Sequence, residues 1–146
     1  MNVAQMLRIA HSVNDKVFTV NYKTDIQSVA QSMDKRKVGA FPVLREGELI
    51  GIISERDIAT KVVANGLDPK KTTVLSIMTH NPTTVTPDND LETCLDLMES
   101  GHFRHLPVLD EGKLVGMISI RDILVALLRE KGELINHFQN YLFSNR

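Results

Sequence analysis

The chain has 146 residues, with an apolar fraction of 42% and a charged fraction of 24%, which is typical of a soluble globular protein. The formal net charge is −1 and no basic run occurs, so the sequence disfavours nucleic acid as a partner. A single cysteine, Cys94, excludes an intrachain disulfide framework, and its place on an apolar helical face predicts a buried residue. No apolar run approaches the roughly 20 residues that span a bilayer, and the first residues lack a signal-peptide layout. These features favour a cytoplasmic protein without a membrane partner.

The first elements in chain order are a short helix over 3–10 and a brief strand over 16–20. A longer helix follows, with Thr24 as N-cap and Gln27 three residues later, the pattern of a capping box. Ile26 and the apolar residues that follow it at helical spacing predict one buried stripe. The basic residues 35–37 suit a helix C-terminus, so we expect this helix to end near Lys37.

Two apolar runs, 40–44 and 49–53, come next and are separated by a glycine-containing turn at 46–48. This arrangement predicts a β-hairpin. Ser54 then begins a second amphipathic helix, which is expected to end before Asn65 and Gly66. The residues after it are polar and rich in helix breakers, and they predict a linker.

The segment 19–58 recurs 65 residues later as 84–123, with sixteen identities in forty ungapped positions. The second copy also repeats the predicted cap, with Asn89 and Glu92 where Thr24 and Gln27 stand. This is a tandem duplication of a β-α-β-β-α unit. One copy alone is too small to bury much core, so the two are expected to pack about an approximate two-fold axis in an α/β (α+β) fold.

An amphipathic helix outside the repeat is predicted over 133–143, and its apolar stripe favours a dimer interface. The predicted organisation is therefore an N-terminal segment, a first repeat, a linker, a second repeat and a C-terminal helix. Their bounds are 1–16, 17–66, 67–81, 82–131 and 132–146.

The motif Ser-x-Arg-Asp closes each copy, at Ser54 to Asp57 and at Ser119 to Asp122. One interpretation is structural: each serine is an N-cap and each aspartate completes a capping box. The other is functional, because a carboxylate fixed in the first turn can accept hydrogen bonds from both hydroxyls of a ribose. Nearby main-chain N–H groups and Arg56 or Arg121 could then take a phosphate. The spacing supports both interpretations equally.

Signals for a metal site or for catalysis are weak. His102 and His105 are three residues apart but lack a third ligand, so no metal is predicted, whereas Arg104 is a credible anion contact. The sequence contains no Gly-x-Gly-x-x-Gly, no P-loop and no His-Glu-x-x-His. Two equivalent aspartates would have similar pKa values, whereas catalytic carboxylates are usually tuned apart. The duplication therefore favours binding over catalysis, and we expect no enzyme.

At these residues the chain resembles a tandem pair of cystathionine β-synthase (CBS) domains, also called a Bateman module. The motifs that carry the resemblance are 38–43, 51–57 and their counterparts up to Asp122. The match covers about residues 17–130, and the whole chain is similar to small bacterial stand-alone CBS-pair proteins.

The resemblance implies binding of an adenosyl ligand (AMP, ADP, ATP or NAD, with S-adenosylmethionine as a further possibility) in clefts between the repeats. It implies that the aspartates hold ribose and that residues before the Pro-Val strand flank adenine. The first implied cleft comprises Ile52, Ser54, Arg56, Asp57, Thr83, Phe103 and Arg104. The second implied cleft comprises Phe18, Val38, Gly39, Met117, Ser119, Arg121 and Asp122.

The resemblance further implies a homodimer, a disc of four CBS domains, that acts as a regulatory sensor on an unknown protein. Gly39 departs from the family pattern, which has an arginine there, so the second cleft would carry less phosphate-binding charge. Three alternatives stay open: a structural protein-interaction module with no nucleotide, an enzyme that hydrolyses a nucleotide, and a nucleic-acid-binding protein, which the net charge of −1 disfavours.

Overall fold

A computed structural model describes residues 1–10, 17–131, 139–140 and 142–143. The chain divides into two compact units. One contains Val17–Thr83 with Glu111–Leu114, and is called here the first-copy unit. The other contains Met1–Lys16, Thr84–Asp110 and Val115–Arg146, and is called the second-copy unit. Both mix strands and helices, which confirms the predicted α+β class.

The first-copy unit is built on a four-stranded sheet in the order β1 (Val20–Asn21), β2 (Ala40–Arg45), β3 (Glu48–Ser54) and β4 (Thr79–His80). Strand β1 pairs in parallel with β2, and the other pairs are antiparallel. Its elements are β1 (Val20–Asn21), α2 (Ile26–Arg36), β2 (Ala40–Arg45), β3 (Glu48–Ser54), α3 (Glu55–Asp57), a π-helical segment (Ile58–Val63), α4 (Val74–Ile77) and β4 (Thr79–His80). The short helix α4 lies in the stretch for which the sequence predicted only a linker. Helix α2 ends one residue before Lys37, as predicted.

The predicted hairpin is present as β2 and β3, and its turn explains the choice of residues there. Glu46 and Gly47 have φ values of 50° and 81°. Positive φ at both positions is the type I′ geometry whose twist matches that of paired strands. Glu111 and Gly112 repeat it in the second copy with φ values of 49° and 78°.

The second-copy unit has the same order of elements around a two-stranded sheet of β5 and β6. A single parallel bridge joins Val85 to Val108, which are the counterparts of Val20 and Val43 in the β1–β2 ladder. Its elements are α1 (Val3–Ala10), α5 (Leu91–Gly101), β5 (His105–Asp110), β6 (Lys113–Ser119) and α6 (Ile120–Glu130). The predicted helix over 3–10 and the predicted β-α-β-β-α order are therefore confirmed.

Each unit has its own apolar core. In the first-copy unit the buried stripe of α2 packs with β2 and β3 around Phe41. In the second-copy unit Cys94 is completely buried, as predicted, beside Leu106 and Ile118. Burial raises the pKa of the Cys94 thiol to about 11, so this side chain behaves as a small hydrophobic group.

The predicted N-caps of α2 and α5 are wrong by one residue. Asp25, not Thr24, caps α2, because its carboxylate accepts hydrogen bonds from both the backbone N–H and the hydroxyl of Ser28, at 2.9 and 2.7 Å. Asp90, not Asn89, caps α5. These hydrogen bonds from the side chain and the backbone of the residue three positions on lower the pKa of each aspartate.

Most of the predicted C-terminal helix lies outside the described residues, and only 139–140 and 142–143 are described as helical. Residue 16 of the predicted first strand is also outside them, and strand β1 begins at Val20. The longest helices in the described part of the chain have 11 residues. None of the helices described is both long and apolar enough to cross a bilayer.

Candidate ligand-binding residues

The Ser-x-Arg-Asp motif forms a capping box in both copies. Ser54 ends β3 and caps α3: its hydroxyl accepts from the backbone N–H of Asp57 at 3.1 Å. In return, Asp57 Oδ2 accepts from the Ser54 backbone N–H at 3.0 Å. Ser119 and Asp122 form the same two hydrogen bonds at 3.1 and 3.0 Å. The predicted helix starts at both serines are therefore confirmed, and each carboxylate is fixed through one oxygen.

The carboxylate of Asp57 has two further contacts. The Ser54 hydroxyl donates to Oδ2 at 3.0 Å, and the ammonium group of Lys61 lies 3.0 Å from Oδ1. The same ammonium group donates to the backbone carbonyl of Ile77 at 2.9 Å. Asp57 is the only charged residue classed as buried among the described residues, and its neighbour Lys61 neutralises it.

The second copy lacks that cation. Position 126, which corresponds to Lys61, is a buried alanine. Among the described residues the carboxylate of Asp122 accepts only the hydrogen bond from Ser119, and Asp122 is partly exposed. One oxygen of Asp122 thus accepts no hydrogen bond from the described residues, whereas both oxygens of Asp57 are engaged.

The position before the Pro-Val strand also differs between the copies. Gly39 accepts a hydrogen bond from the Glu55 backbone N–H, and Arg104 accepts the same bond from Ile120, both at 2.9 Å. A side chain placed on Gly39 would meet Glu55 first, because an ideal Cβ there lies 3.1 Å from Oε1. In the first copy, Gly39 therefore has the carboxylate of Glu55 beside it. In the second copy, the equivalent residues are Arg104, whose guanidinium group is exposed, and the apolar Ile120.

Two aromatic residues were predicted to contribute. Phe18 is 49% exposed, and the guanidinium group of Arg36 lies over its ring, 3.6 Å from the centroid. Phe103 is partly buried and packs against the core of its unit, with its ring against Gly101. Phe18 therefore presents an accessible aromatic surface that is already paired with a cation.

The two predicted sets of site residues are each distributed over both units. Two residues of the first set, Phe103 and Arg104, lie in the second-copy unit. The others lie in the first-copy unit: Ile52, Ser54, Arg56, Asp57 and Thr83. Of the second set, Phe18, Val38 and Gly39 lie in the first-copy unit, whereas Met117, Ser119, Arg121 and Asp122 lie in the other. Within each unit the Ser-x-Arg-Asp residues are close together. Ile52 and Met117 are partly buried, and the arginines are exposed.

Sequence reasoning did not identify Lys61, Glu55 or Arg36 as neighbours of the site residues. Lys61 could have been found, because a lysine four residues after an aspartate on a helix is a common ion pair. The contacts of Glu55 with Gly39 and of Arg36 with Phe18 join separate elements and have no local signal. In the described part of the chain, no group of three or more His, Cys, Asp or Glu side chains could hold a metal ion.

Comparison with known proteins identifies the class to which this arrangement belongs. The family model for the CBS domain matches the chain twice, at residues 9–64 and 74–129. The chain belongs to the CBS-domain family and carries a tandem pair of these domains.

Similar curated proteins differ in length. The CBS domain-containing protein YhcV of Bacillus subtilis is 33% identical over 120 residues, which are 82% of this chain and 85% of YhcV. CBSCBSPB2 of Arabidopsis thaliana is 37% identical over 110 residues, or 75% of this chain. The match spans only 20% of that relative and 59% of the mitochondrial protein CBSX3.

Solved structures share the fold. A CBS-domain protein from Burkholderia ambifaria is 35% identical, with a TM-score of 0.85 over 88% of this chain and 95% of that one. The CBS domain pair of protein MJ0100 is 26% identical, with a TM-score of 0.73 over 90% of this chain and 98% of that one. MJ0100 was solved with 5′-methylthioadenosine and S-adenosylmethionine.

Proposed function

We propose that this protein is a regulatory module that binds an adenosyl ligand and performs no chemistry of its own. The observation that carries the proposal is the duplicated aspartate, fixed through one oxygen in a capping box. In Asp122 the second oxygen accepts no hydrogen bond from the described residues. A vicinal diol donates two hydrogen bonds in one direction, and a rigid carboxylate is a suitable acceptor for both.

The family and one neighbour support the adenosyl class. Both ligands of MJ0100 contain an adenosyl group with its ribose diol and neither carries a phosphate, so the adenosyl group is what they share. In this chain the phosphate-bearing ligands AMP, ADP, ATP and NAD would need a cation as well. Arg56, Arg121 and Arg104 are exposed and can supply it. We therefore propose the two sets of site residues given above, with Asp57 and Asp122 as ribose acceptors.

The two sets should differ in the ligand charge that they prefer. Arg104 offers a guanidinium group to a phosphate, whereas the equivalent Gly39 has the carboxylate of Glu55 beside it. A carboxylate near a phosphate costs binding free energy through like-charge repulsion. Arg104→Gly, which copies the first repeat, should therefore weaken AMP binding more than adenosine binding.

The direct test is calorimetric titration with AMP, ADP, ATP, NAD and S-adenosylmethionine, together with 2′-deoxy-AMP as a matched probe. Binding of at least one ligand is expected, and the 2′-deoxy analogue of AMP should bind at least ~10-fold more weakly because it donates one hydrogen bond fewer to the carboxylate. Asp57→Ala and Asp122→Ala should each remove one binding event. Equal affinity for AMP and its 2′-deoxy analogue would contradict the role of the aspartates.

A structural module without a ligand is the second candidate, and the complete capping boxes favour it. They account for both serines and both aspartates by helix stability alone. An absence of binding by every compound of the panel would support this candidate. Release of phosphate or nicotinamide on long incubation would instead indicate an enzyme.

We further propose that the chain is a homodimer and that the ligand changes the surface it offers to a regulated protein. A ligand shifts such an equilibrium only through its different affinity for the two states. Light scattering coupled to gel filtration, with and without the bound ligand, measures the mass. A monomer in both conditions would exclude the homodimer.

A further inference from the structure

The ion pair between Lys61 and Asp57 is a feature of the first copy alone. The ammonium group contacts Asp57 Oδ1 at 3.0 Å and donates to the carbonyl of Ile77 at 2.9 Å. The helix that follows Ser54 is π-helical over Ile58–Val63, whereas its counterpart α6 is α-helical throughout. Ala126 occupies the position of Lys61 in the second copy. Asp57 is therefore paired with a cation, whereas no cation among the described residues pairs with Asp122.

Counting acceptor sites shows what this means for a ribose. A carboxylate offers about four lone-pair directions. Asp57 uses three of them, for the Ser54 backbone N–H, the Ser54 hydroxyl and the Lys61 ammonium group. Asp122 uses one for a described residue, the Ser119 backbone N–H. A diol that donates two hydrogen bonds can be accommodated by Asp122 directly, but Asp57 must first give up a bond.

The exposure of the two partners indicates which bond yields. The Asp57 side chain is 11% exposed and is held by the capping box, so it stays in place. The Lys61 side chain is 43% exposed and can move its ammonium group into water. A ligand at Asp57 therefore competes with Lys61, whereas a ligand at Asp122 competes with none of the described cations.

We propose that Lys61 is an internal competitor that occupies the ribose-accepting oxygen of Asp57, so that Asp122 is the higher-affinity acceptor of the two. The inference rests on the proposed function and deepens it, because it assigns an order to the two binding events. One adenosyl ligand binds at Asp122 first, and a second binds at Asp57 only when Lys61 is displaced. The chain thus responds to two concentration ranges of one ligand class.

The test isolates each acceptor by calorimetry with adenosine as the probe, because a ligand without charge keeps the effects of Arg104 and Glu55 on phosphate out of the comparison. Asp57→Ala leaves only the Asp122 event, which should keep the affinity of the tighter wild-type event. Asp122→Ala leaves only the weaker event. Adding Lys61→Met to Asp122→Ala should tighten that event by ~10-fold, which is the effect expected for the loss of one charge-assisted competitor. Lys61→Ala, which copies residue 126, should do the same.

Lys71→Met in the same background is the matched control, because it removes the same charge from an exposed position. It should leave the affinity unchanged. The inference is overturned if Lys61→Met leaves the affinity unchanged or weakens it, or if Asp57→Ala removes the tighter event. In both cases the wild type still binds, so the proposed function survives. Absence of any binding by the wild type overturns both.

A second measurement avoids the lysine variants, whose lost hydrogen bond to Ile77 could disturb the fold. Adenosine carries no charge, so salt affects its binding to Asp122→Ala mainly by screening the ion pair between Lys61 and Asp57. The affinity of Asp122→Ala for adenosine should rise with the concentration of potassium chloride more steeply than the affinity of Asp57→Ala does. The Asp57→Ala variant reports the general effect of salt on adenosine binding. Equal slopes would overturn the inference.

Discussion

Replacing Asp122 by alanine separates the stability role of the capping box from the ligand role. The change removes one hydrogen bond, from the Ser119 backbone N–H at 3.0 Å, while the Ser119 hydroxyl still accepts from the backbone N–H of residue 122. Losing one such cap interaction costs about 1 kcal/mol. For a chain of this length the melting temperature should fall by ~3 °C. The protein should therefore remain folded at 25 °C.

The effect on binding should be far larger. If the carboxylate accepts both ribose hydroxyls, its removal deletes two charge-assisted hydrogen bonds of ~1.5–3 kcal/mol each. The affinity at this acceptor should fall by at least ~100-fold. Differential scanning calorimetry of the ligand-free protein measures the change in melting temperature, and titration of the same preparation with AMP measures the change in affinity.

Asp90→Ala is the matched control for this experiment. Asp90 caps α5 in the same unit and accepts one backbone hydrogen bond from Thr93 at 2.7 Å, but it belongs to neither predicted set. It should lower the melting temperature without changing affinity. If Asp122→Ala binds AMP as well as Asp90→Ala does, or if it fails to fold, the carboxylate is structural and the ribose assignment is wrong.

Three further predictions concern the fold. Gly51→Ala should lower the free energy of unfolding in urea by about 1–3 kcal/mol, because the added Cβ would lie 2.5 Å from Met78 Sδ and 2.8 Å from the Thr79 carbonyl oxygen. At the counterpart Gly116 the added Cβ would meet the two methyl groups of Leu7 at 3.3 Å, so Gly116→Ala should be tolerated. Cys94 should react with a thiol reagent at neutral pH only after denaturation, since burial raises its pKa to about 11; rapid labelling of the folded protein would contradict its buried position. Hydrogen bonds from Ser28 lower the pKa of Asp25 below its usual value of 3.8, so the stabilisation by this carboxylate is fully present above pH 3.8 and is lost as the pH falls through the lowered pKa. The difference in melting temperature between wild type and Asp25→Asn should therefore shrink as the pH is lowered below 3.8, and a constant difference would refute this.

The sequence predicted most of the fold because the signals for it are local and occur twice. The turn at Glu46 and Gly47 needs two positive φ values, and the same pair of residue types recurs at Glu111 and Gly112. The starts of the helices at Ser54 and Ser119 follow from the capping-box spacing. The starts of α2 and α5 were misplaced by one residue because Thr24 and Asp25 are both good N-caps. Only the contacts of Ser28 decide between them.

The features that the sequence did not predict depend on contacts between elements. Helix α4 has four residues, which is too short for a periodic pattern to appear. The position of Glu55 against Gly39 and that of Arg36 over Phe18 follow from how separate elements pack, which no spacing rule records. Lys61 is intermediate: its spacing from Asp57 was visible, but its second contact lies 16 residues away.

The two copies differ at positions that the shared backbone leaves unconstrained. The fold requires a serine cap and an aspartate three residues later, and both copies have them. It does not require Lys61, whose counterpart is alanine, or Glu55, whose counterpart is isoleucine. Both residues lie within about one turn of the first aspartate and change its electrostatic surroundings, whereas the capping box that holds the aspartate is the same in both copies. Two equivalent acceptors would respond to a ligand over one concentration range, whereas two acceptors with unequal competitors respond over two.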